Sequence, residues 1–477
     1  MKVLFASAEA APFFKSGGLG DVAGSLPKEL KKQGVDIRVV LPNHGVMPEK
    51  YAEQLELVTE FTVDVGWRRQ YCGVKQLVLD DVTYYFVDNL GYFNRDAVYG
   101  YEDDGERYAF FSLAVLEMME KIDFIPDVLH ANDWHTAAVT FLLRDKYHWI
   151  DAYADIKTVL SIHNLKYQGE FGESILSDWY GIGYNIYMDS GAKHYDAVNI
   201  LKGGIYYADR VTTVSPTYAE EIKTPEFGHG LDGVLRDVDY KLSGILNGID
   251  YAVNDPATDS TIQHNYDVDT IDQKVKNKTY LQEKVGLPVD EEVILIGMVS
   301  RLTEQKGFRL VEIIMDALTN RQVQIILLGT GEKSIENSFK HFDWAYDGQV
   351  RAIIDFDVKL AQEIYAGADL FLMPSAFEPC GLSQMISMRY GTLPLVHEIG
   401  GLKDTVAPYN KYDITGTGFS FNHFDWWVLL NTLDDAIGVY YNHYDNWQTI
   451  QKQAMQTDFS WQQSTQKYIN LYQSIAY

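Results

Sequence analysis

The chain has 477 residues, of which 67 are acidic and 40 basic, giving a formal charge of −27 with histidine neutral; 46% are hydrophobic and 22% charged. An acidic excess of that size argues against nucleic acid or an anionic membrane as the main partner, since both demand a basic face, and leaves room for a small phosphate compound in a local pocket. The apolar content excludes wholesale disorder, and two cysteines far apart, Cys72 and Cys380, argue against a disulfide framework, which suits a reducing cytosol.

Residues 3–6 read as a short buried strand. The apolar run ends at Glu9, too early for a signal peptide, and no run reaches the ~18 residues of a membrane span, so a cytoplasmic protein is expected. A glycine-bearing loop leads into a helix over residues 21–33, stopped by Gly34, and residues 36–41 return as the next strand. Strand–helix alternation continues through strands at 128–130, 158–160 and 211–214. A second series starts with the apolar strand 293–299, enters a polar loop and a helix from Phe308, and continues with strands 324–328, 352–354 and 370–373. Apolar strands alternating with helices imply parallel sheets covered on both faces. The seam is expected at Asn247-Gly248-Ile249-Asp250, with an N-terminal Rossmann-like domain over residues 1–246 and a second over 247–458. Trp461, Tyr468, Leu471, Tyr472 and Ile475 fall at helical spacing, so residues 459–477 are expected to form an amphipathic helix that packs back on the N-terminal domain. The fold class is α/β, two doubly wound domains, with a ligand expected in the cleft between them at the carboxyl ends of the strands.

The chemistry concentrates in the loops. Lys15-Ser16-Gly17-Gly18-Leu19-Gly20-Asp21 follows the first strand and precedes the first helix. Glycines let backbone approach an anion, a helix start offers free N–H groups, and Lys15 adds a positive charge. The spacing Gly18-x-Gly20-x-x-x-Gly24 is not the dinucleotide fingerprint, the second strand ends at Leu41-Pro42-Asn43-His44 without an acid for a ribose, and no G-K-[ST] closes the loop. A nicotinamide, flavin or P-loop enzyme is disfavoured, and no cofactor is expected. In the second half Arg301 and Lys306 follow an apolar strand, suited to neutralising a diphosphate. Glu378, in Pro374-Ser375-Ala376-Phe377-Glu378-Pro379-Cys380-Gly381-Leu382-Ser383, lies between a strand and a helix starting near Leu382, well placed for sugar hydroxyls. Asp-x-Asp, a metal-diphosphate signature elsewhere, occurs at Asp237/Asp239, Asp267/Asp269 and Asp355/Asp357; three hits in so acidic a chain carry no information, and no metal site is assigned.

These segments, with His130-Ala131-Asn132-Asp133-Trp134-His135, Ile162-His163-Asn164-Leu165-Lys166-Tyr167-Gln168-Gly169, Asn247-Gly248-Ile249-Asp250 and Gly400-Gly401-Leu402-Lys403-Asp404-Thr405, resemble bacterial and plastid-type glycogen and starch synthases nearly end to end. The resemblance implies a GT-B glycosyltransferase fold, two Rossmann-like domains facing a deep cleft. It implies glucose transfer from ADP-glucose, with retention and no metal, to the non-reducing end of an α-1,4-glucan such as glycogen. Carried over residue by residue, it places Lys15 and the amides of Gly17 and Gly18 on phosphate, together with Arg301 and Lys306. Asp21 falls near the nucleotide ribose or the domain interface, and Phe356 is a platform for adenine, with a core aromatic as the alternative. His163 is placed beside the anomeric carbon; Asn164, Asn247 and Glu378 on the glucose; and Asp133 on the acceptor side. Backbone amides of Cys380 and Gly381 are placed on the sugar, and those of Leu382 and Ser383 on the phosphates.

Departures from the family pattern are Ser16 for threonine, Asn132 where a second histidine is common, Ser383 for threonine, Ile399 for threonine, and Ile386 where related transferases carry a second glutamate. Two other classes stay open. One is a UDP-glucose-dependent or other sugar-nucleotide transferase. The other is a catalytically silent glucan-binding protein, for which the 33 tyrosines and 22 phenylalanines supply flat faces.

Overall fold

The computed structural model describes residues 1–476, which divide into two compact units: Met1–Gly248 with the segment from Trp461 onward, and Ile249–Ser460.

The first unit is built on a nine-stranded sheet. Its strands are β1 (Lys2–Ala6), β2 (Asp36–Pro42), β3 (Glu56–Val65), β4 (Arg68–Leu79), β5 (Val82–Asp88), β6 (Val128–Asn132), β7 (Lys157–Ile162), β11 (Arg210–Thr213) and β12 (Leu242–Gly244). A separate small sheet joins β8 (Glu170–Gly172), β9 (Lys193–His194) and β10 (Ala197–Asn199). The large sheet runs β12-β11-β7-β6-β1-β2-β5-β4-β3, parallel except for the β5-β4-β3 edge. Strand order reverses between β1 and β6, so the loops after these two strands open at a topological switch point, where α/β sheets bind ligands. β1 and β6 are short and buried along almost their whole length, as near-continuous apolar runs under two helical layers must be.

The helix Trp461–Ala476 buries Trp461, Ser464, Thr465, Tyr468, Ile469 and Tyr472, a spacing of three and four residues that puts one stripe on the core shared with Val3, Phe5, Val22, Leu26 and Leu30. His130 on β6 fastens this helix: Nδ1 lies 2.6 Å from the Tyr472 hydroxyl and Nε2 2.7 Å from Ser161 Oγ. Burial lowers its pKa to about 3, so it is a neutral structural imidazole.

The second unit carries a six-stranded, all-parallel sheet. In chain order it is β13 (Ile294–Val299), β14 (Val323–Leu328), β15 (Val350–Ile353), β16 (Leu370–Met373), β17 (Leu393–His397) and β18 (Phe419–Phe421), arranged β15-β14-β13-β16-β17-β18. The switch point here falls between β13 and β16. Asp369, just before β16, accepts the Leu295 amide at 2.8 Å and pairs with Lys278 at 2.7 Å, locking those two strands together.

Several elements differ from the sequence reading: the β5-β4-β3 edge is antiparallel where parallel sheets were expected, and the units divide after Gly248 and after Ser460 rather than after 246 and 458. The first helix spans Gly18–Lys32 rather than starting at Asp21. Its first turn is held by a side chain from outside the helix: Glu9 accepts the Ser16 amide at 2.6 Å and the Gly20 amide at 3.0 Å. β15 lies at Val350–Ile353 rather than 352–354, because Val350 pairs with Ile325 and Ile353 already closes the ladder opposite Leu328.

Candidate active site

Each switch point gathers chemistry-bearing side chains. In the first unit the loop after β1 is shaped by Glu9. Buried and ringed by the Ser16 amide, the Ser16 hydroxyl at 2.8 Å and the Gly20 amide, it has its pKa raised chiefly by desolvation, against these hydrogen bonds. Gly20 is required by packing, since a Cβ there would lie 2.4 Å from Lys15 Cβ. Gly17 and Gly18 are not: Gly17 is extended at φ −163, and an added Cβ at either meets nothing within 4 Å. Their bareness serves no neighbour in the fold, and it is what a ligand lying against the backbone needs. Lys15, exposed, is oriented by Asp21 at 2.7 Å.

The loop after β6 meets the loop after β7. Asp133 opens the helix Asp133–Asp145 at φ +56, a left-handed conformation that costs a non-glycine residue energy. Its Oδ1 accepts the amides of His163 at 2.7 Å and Asn164 at 3.4 Å. Burial lifts the Asp133 carboxyl to about 7, the two amides pulling the other way. Asn132 holds the His163 ring. Its amide nitrogen donates to Ala6 O at 2.9 Å, which turns Oδ1 toward His163 Nε2 at 2.8 Å. Nε2 must therefore carry the proton, leaving Nδ1 as the acceptor. His163 is half-buried, and the dense surroundings of the ring lower its pKa to about 4, so it is neutral at pH 7. The two motifs also lock through Gly169, at φ +67, where a Cβ would sit 2.5 Å from the Trp134 ring. His135 belongs to the core, packed against Tyr99 and Tyr108 with ring centroids 4.6 Å away in each case. Asn164 Oδ1 accepts the Lys166 amide at 3.1 Å, a local turn. Asn247 is buried, with no protein partner for Oδ1 among the described residues.

In the second unit the loops after β13 and β16 are joined by Ala376 N to Gln305 O at 2.8 Å. Lys306 lies across the Glu378 carboxylate, 2.9 Å from Oε1 and 2.6 Å from Oε2, and Ser375 Oγ donates to Oε2 at 3.0 Å. The residues expected to meet phosphate and sugar thus hold each other. Gly307 makes the approach possible: at φ +78 it turns the chain where a Cβ would sit 1.8 Å from Pro374 O. The Gly400-Gly401 turn backs the same loop, with the Gly401 amide donating to Glu378 O at 3.1 Å and a Cβ on Gly400 reaching 1.9 Å from that oxygen. Arg301 is exposed and pairs with no carboxylate among the described residues. Leu382 caps the helix Ser383–Arg389, so that helix starts one residue beyond the expected position; Ser383 Oγ lies 3.0 Å from the Tyr365 hydroxyl. Cys380 is buried and Gly381 sits at φ +72. Phe356 is 77% exposed beyond β15, which rules out the core-aromatic alternative.

The Asp-x-Asp strings have local duties. Asp357 caps a helix through the Leu360 amide, Asp267 closes a turn with Thr270, and Asp239 pairs with Lys223. A cavity of about 360 Å³ in the second unit, edged by Tyr251, Asp255, Arg389 and Asp458, shares no residue with this site, and Asp255 there is engaged by Arg389 at 2.9 Å. The switch points, not that cavity, carry the convergent polar groups.

Sequence reasoning missed Glu9 as the organiser of the glycine loop, and it registered Asn132 only as a departure. The signal for Asn132 was its place at the end of a buried strand directly before Asp133.

A family profile described as "Starch synthase catalytic domain" matches residues 2–237, and one described as "Glycosyl transferases group 1" matches residues 280–448. The chain is 53% identical to a glycogen synthase of Streptococcus mutans over 476 residues and 55% identical to one of Ligilactobacillus salivarius over 476, covering all of both chains each time. Among solved structures it is similar to the catalytic domain of starch synthase IV from Arabidopsis thaliana bound to ADP and acarbose, with a TM-score of 0.93, 32% identity, and coverage of 100% of this chain and 99% of that one. A sucrose-phosphate synthase from Thermosynechococcus elongatus, at TM-score 0.63 and 15% identity over 99% of this chain and 98% of the other, shares the fold.

Proposed function

This chain belongs to the glycogen and starch synthase family of retaining glycosyltransferases, and from that premise we propose the roles of its residues: it transfers glucose from ADP-glucose to the non-reducing end of an α-1,4-glucan, in the cytoplasm. The observation that carries the reading is the paired set of switch-point loops, one with bare glycines, an oriented Lys15 and a tautomer-fixed His163, the other with Arg301 and the Lys306–Glu378 pair. ADP bound to the similar starch synthase supports ADP as the leaving group.

Glucosyl transfer passes through an oxocarbenium-like transition state. The diphosphate departs without needing a protein acid, so catalysis rests on stabilising its growing charge and on holding the acceptor hydroxyl close. Lys15, Arg301, Lys306 and the amides of Gly17 and Gly18 serve the first task. Because Asp21 and Glu378 already fix Lys15 and Lys306, these cations need little reorganisation as charge develops. Neutral His163, with Nδ1 as a hydrogen-bond acceptor, and Asn164, Asn247 and Glu378 take the sugar; Asp133 serves the acceptor side through the loop it holds. Phe356, exposed, stacks the adenine. Retention proceeds by front-face attack, the departing diphosphate helping to remove the acceptor proton; a covalent glucosyl-enzyme trapped on any carboxylate would contradict this. The chemistry needs no metal, so ADP release should survive a chelator, and complete loss restored by a divalent ion would overturn that part. The test of the whole reading is glycogen-dependent ADP release, with UDP-glucose as the competing donor.

A further inference from the structure

At the edge of the second unit's sheet, six consecutive residues after β18, Asn422 to Trp427, are exposed, and three of them are large aromatics: Phe424 at 44%, Trp426 at 42% and Trp427 at 56%. Single exposed aromatics are ordinary, but three within four residues form a patch that calls for a partner. The helix Trp426–Asn442 gains nothing from the two indoles, because its core stripe is Leu429, Leu430, Leu433, Ala436 and Ile437. The patch is also held in place. Asp425 caps the helix, its Oδ1 accepting the amides of Trp427 at 2.8 Å and Val428 at 3.3 Å, and the Asp425 amide donates to His423 O at 2.7 Å. Trp426 and Trp427 stand edge to face, with centroids 5.6 Å apart.

Its position adds the second argument. All strands of this sheet are parallel, so the residues after β18 emerge at the same end as those after β16 and β17. His397, closing β17, stacks on Phe421 at 5.1 Å and approaches Phe424 at 5.5 Å, while its Nδ1 lies 2.8 Å from Ser375 O. Ser375 in turn holds Glu378 at 3.0 Å. The aromatic patch is therefore continuous, through two residues, with the loop that carries the Lys306–Glu378 pair.

We infer that Phe424, Trp426 and Trp427 form a binding platform for an uncharged α-glucan chain, extending from the Glu378 loop along the edge of the second unit. This rests on the glucosyl-transfer reading for its choice of ligand. Pyranose rings present flat apolar C–H faces to aromatic rings and carry no charge, so the −27 surface neither attracts nor repels them. A lipid surface or an acidic partner would require basic residues, and within 422–427 the only formally charged side chain is Asp425. The fixed rings lose little entropy on stacking.

The test compares the full-length wild type with the triple variant Phe424→Ala/Trp426→Ala/Trp427→Ala, with Trp426→Phe/Trp427→Phe as the ring-preserving variant and Trp344→Ala, an exposed tryptophan on another helix, as control. Electrophoresis through native gels with and without glycogen reads binding without catalysis. Wild type, the ring-preserving variant and Trp344→Ala should be retarded by glycogen, and the triple variant should lose about tenfold in apparent affinity. In turnover, its KM should rise about tenfold more for glycogen than for maltotriose, with folding checked by an unchanged thermal midpoint. Equal retardation of wild type and triple variant overturns the platform, as does a wild-type dimer, seen in sedimentation, that the triple variant loses while keeping its glycogen affinity. Failure of the glucosyl-transfer reading looks different: no ADP release by the wild type on either acceptor.

Discussion

The two switch-point loops hold their carboxylates in opposite ways. In the first unit Asp133 is buried with two backbone amides and no cation, and its carboxyl titrates near 7. In the second, Glu378 is equally buried but clamped by Lys306 at 2.6 Å and Ser375 at 3.0 Å. Desolvation disfavours a charge in both places, and only the second supplies the counter-charge. The first unit's loop is thus governed by protonation, the second unit's by an ion pair, and the two should fail under different perturbations.

The largest expected separation comes from pH. His44, His130 and His135 titrate at about 3 and His163 at about 4 in the folded first unit, against 6.5 when unfolded. Between those values the unfolded chain binds more protons, so this unit loses stability as pH falls from about 6.5 toward 4. Asp133 opposes that loss. Its folded pKa lies above the unfolded 3.8, so the folded state gains a proton as pH drops through 7. Asp133→Asn, which tolerates the φ of +56, removes the opposition, and its unfolding free energy in urea should fall more steeply than wild type between pH 7.5 and 3.5, by a difference of about 4 kcal/mol. Parallel slopes would mean that Asp133 is ionised in the fold.

Breaking the ion pair should act on turnover at any pH. Lys306→Ala is expected to lower kcat with the 3–4 kcal/mol typical of a lost electrostatic donor, and His163→Ala by a similar amount, both read in steady-state ADP release. Near wild-type turnover in both would refute both assignments. A smaller effect, about 1–3 kcal/mol in kcat/KM, is expected from Asn132→Leu, which leaves His163 Nε2 without its acceptor. If that variant matches wild type, the ring is held by something other than Asn132.

The gentlest probe separates glycines needed by the fold from glycines needed by a ligand. Gly18→Ala should leave stability within about 0.5 kcal/mol, because its Cβ meets nothing, yet raise KM for ADP-glucose about tenfold. Gly401→Ala, whose Cβ would lie 2.1 Å from Cys380 O, should instead lower the thermal midpoint. A stable Gly401→Ala or an active Gly18→Ala would dissolve the distinction.

What was legible in the sequence follows the same division. Strands β1, β2, β6, β7, β11 and β13 to β16, the glycine loop and the lysine, arginine and glutamate positions could be read because they depend on local pattern: apolar runs, turn residues, charges beside strand ends; the antiparallel β3, β4 and β5, and β12, β17 and β18, were not read. The contacts that give those residues their character could not. Glu9 reaches the loop across 7 and 11 residues, Lys306 meets Glu378 across 72, and His130 meets Tyr472 across 342. No periodicity encodes such pairings, because they arise only when the sheet brings distant strand ends together. The early start of the first helix is one instance: its cap is a carboxylate outside the helix, so neither propensity nor spacing within residues 18–32 announces it.

The central claim is glucosyl transfer from ADP-glucose to a glucan, and the most direct measurement is the initial rate of nucleoside diphosphate release with ADP-glucose or UDP-glucose, each with and without glycogen. Release should require glycogen, be faster from ADP-glucose, and lengthen the glucan by α-1,4-linked glucose. Glycogen binding without release from either donor, or release that ignores glycogen, would contradict it.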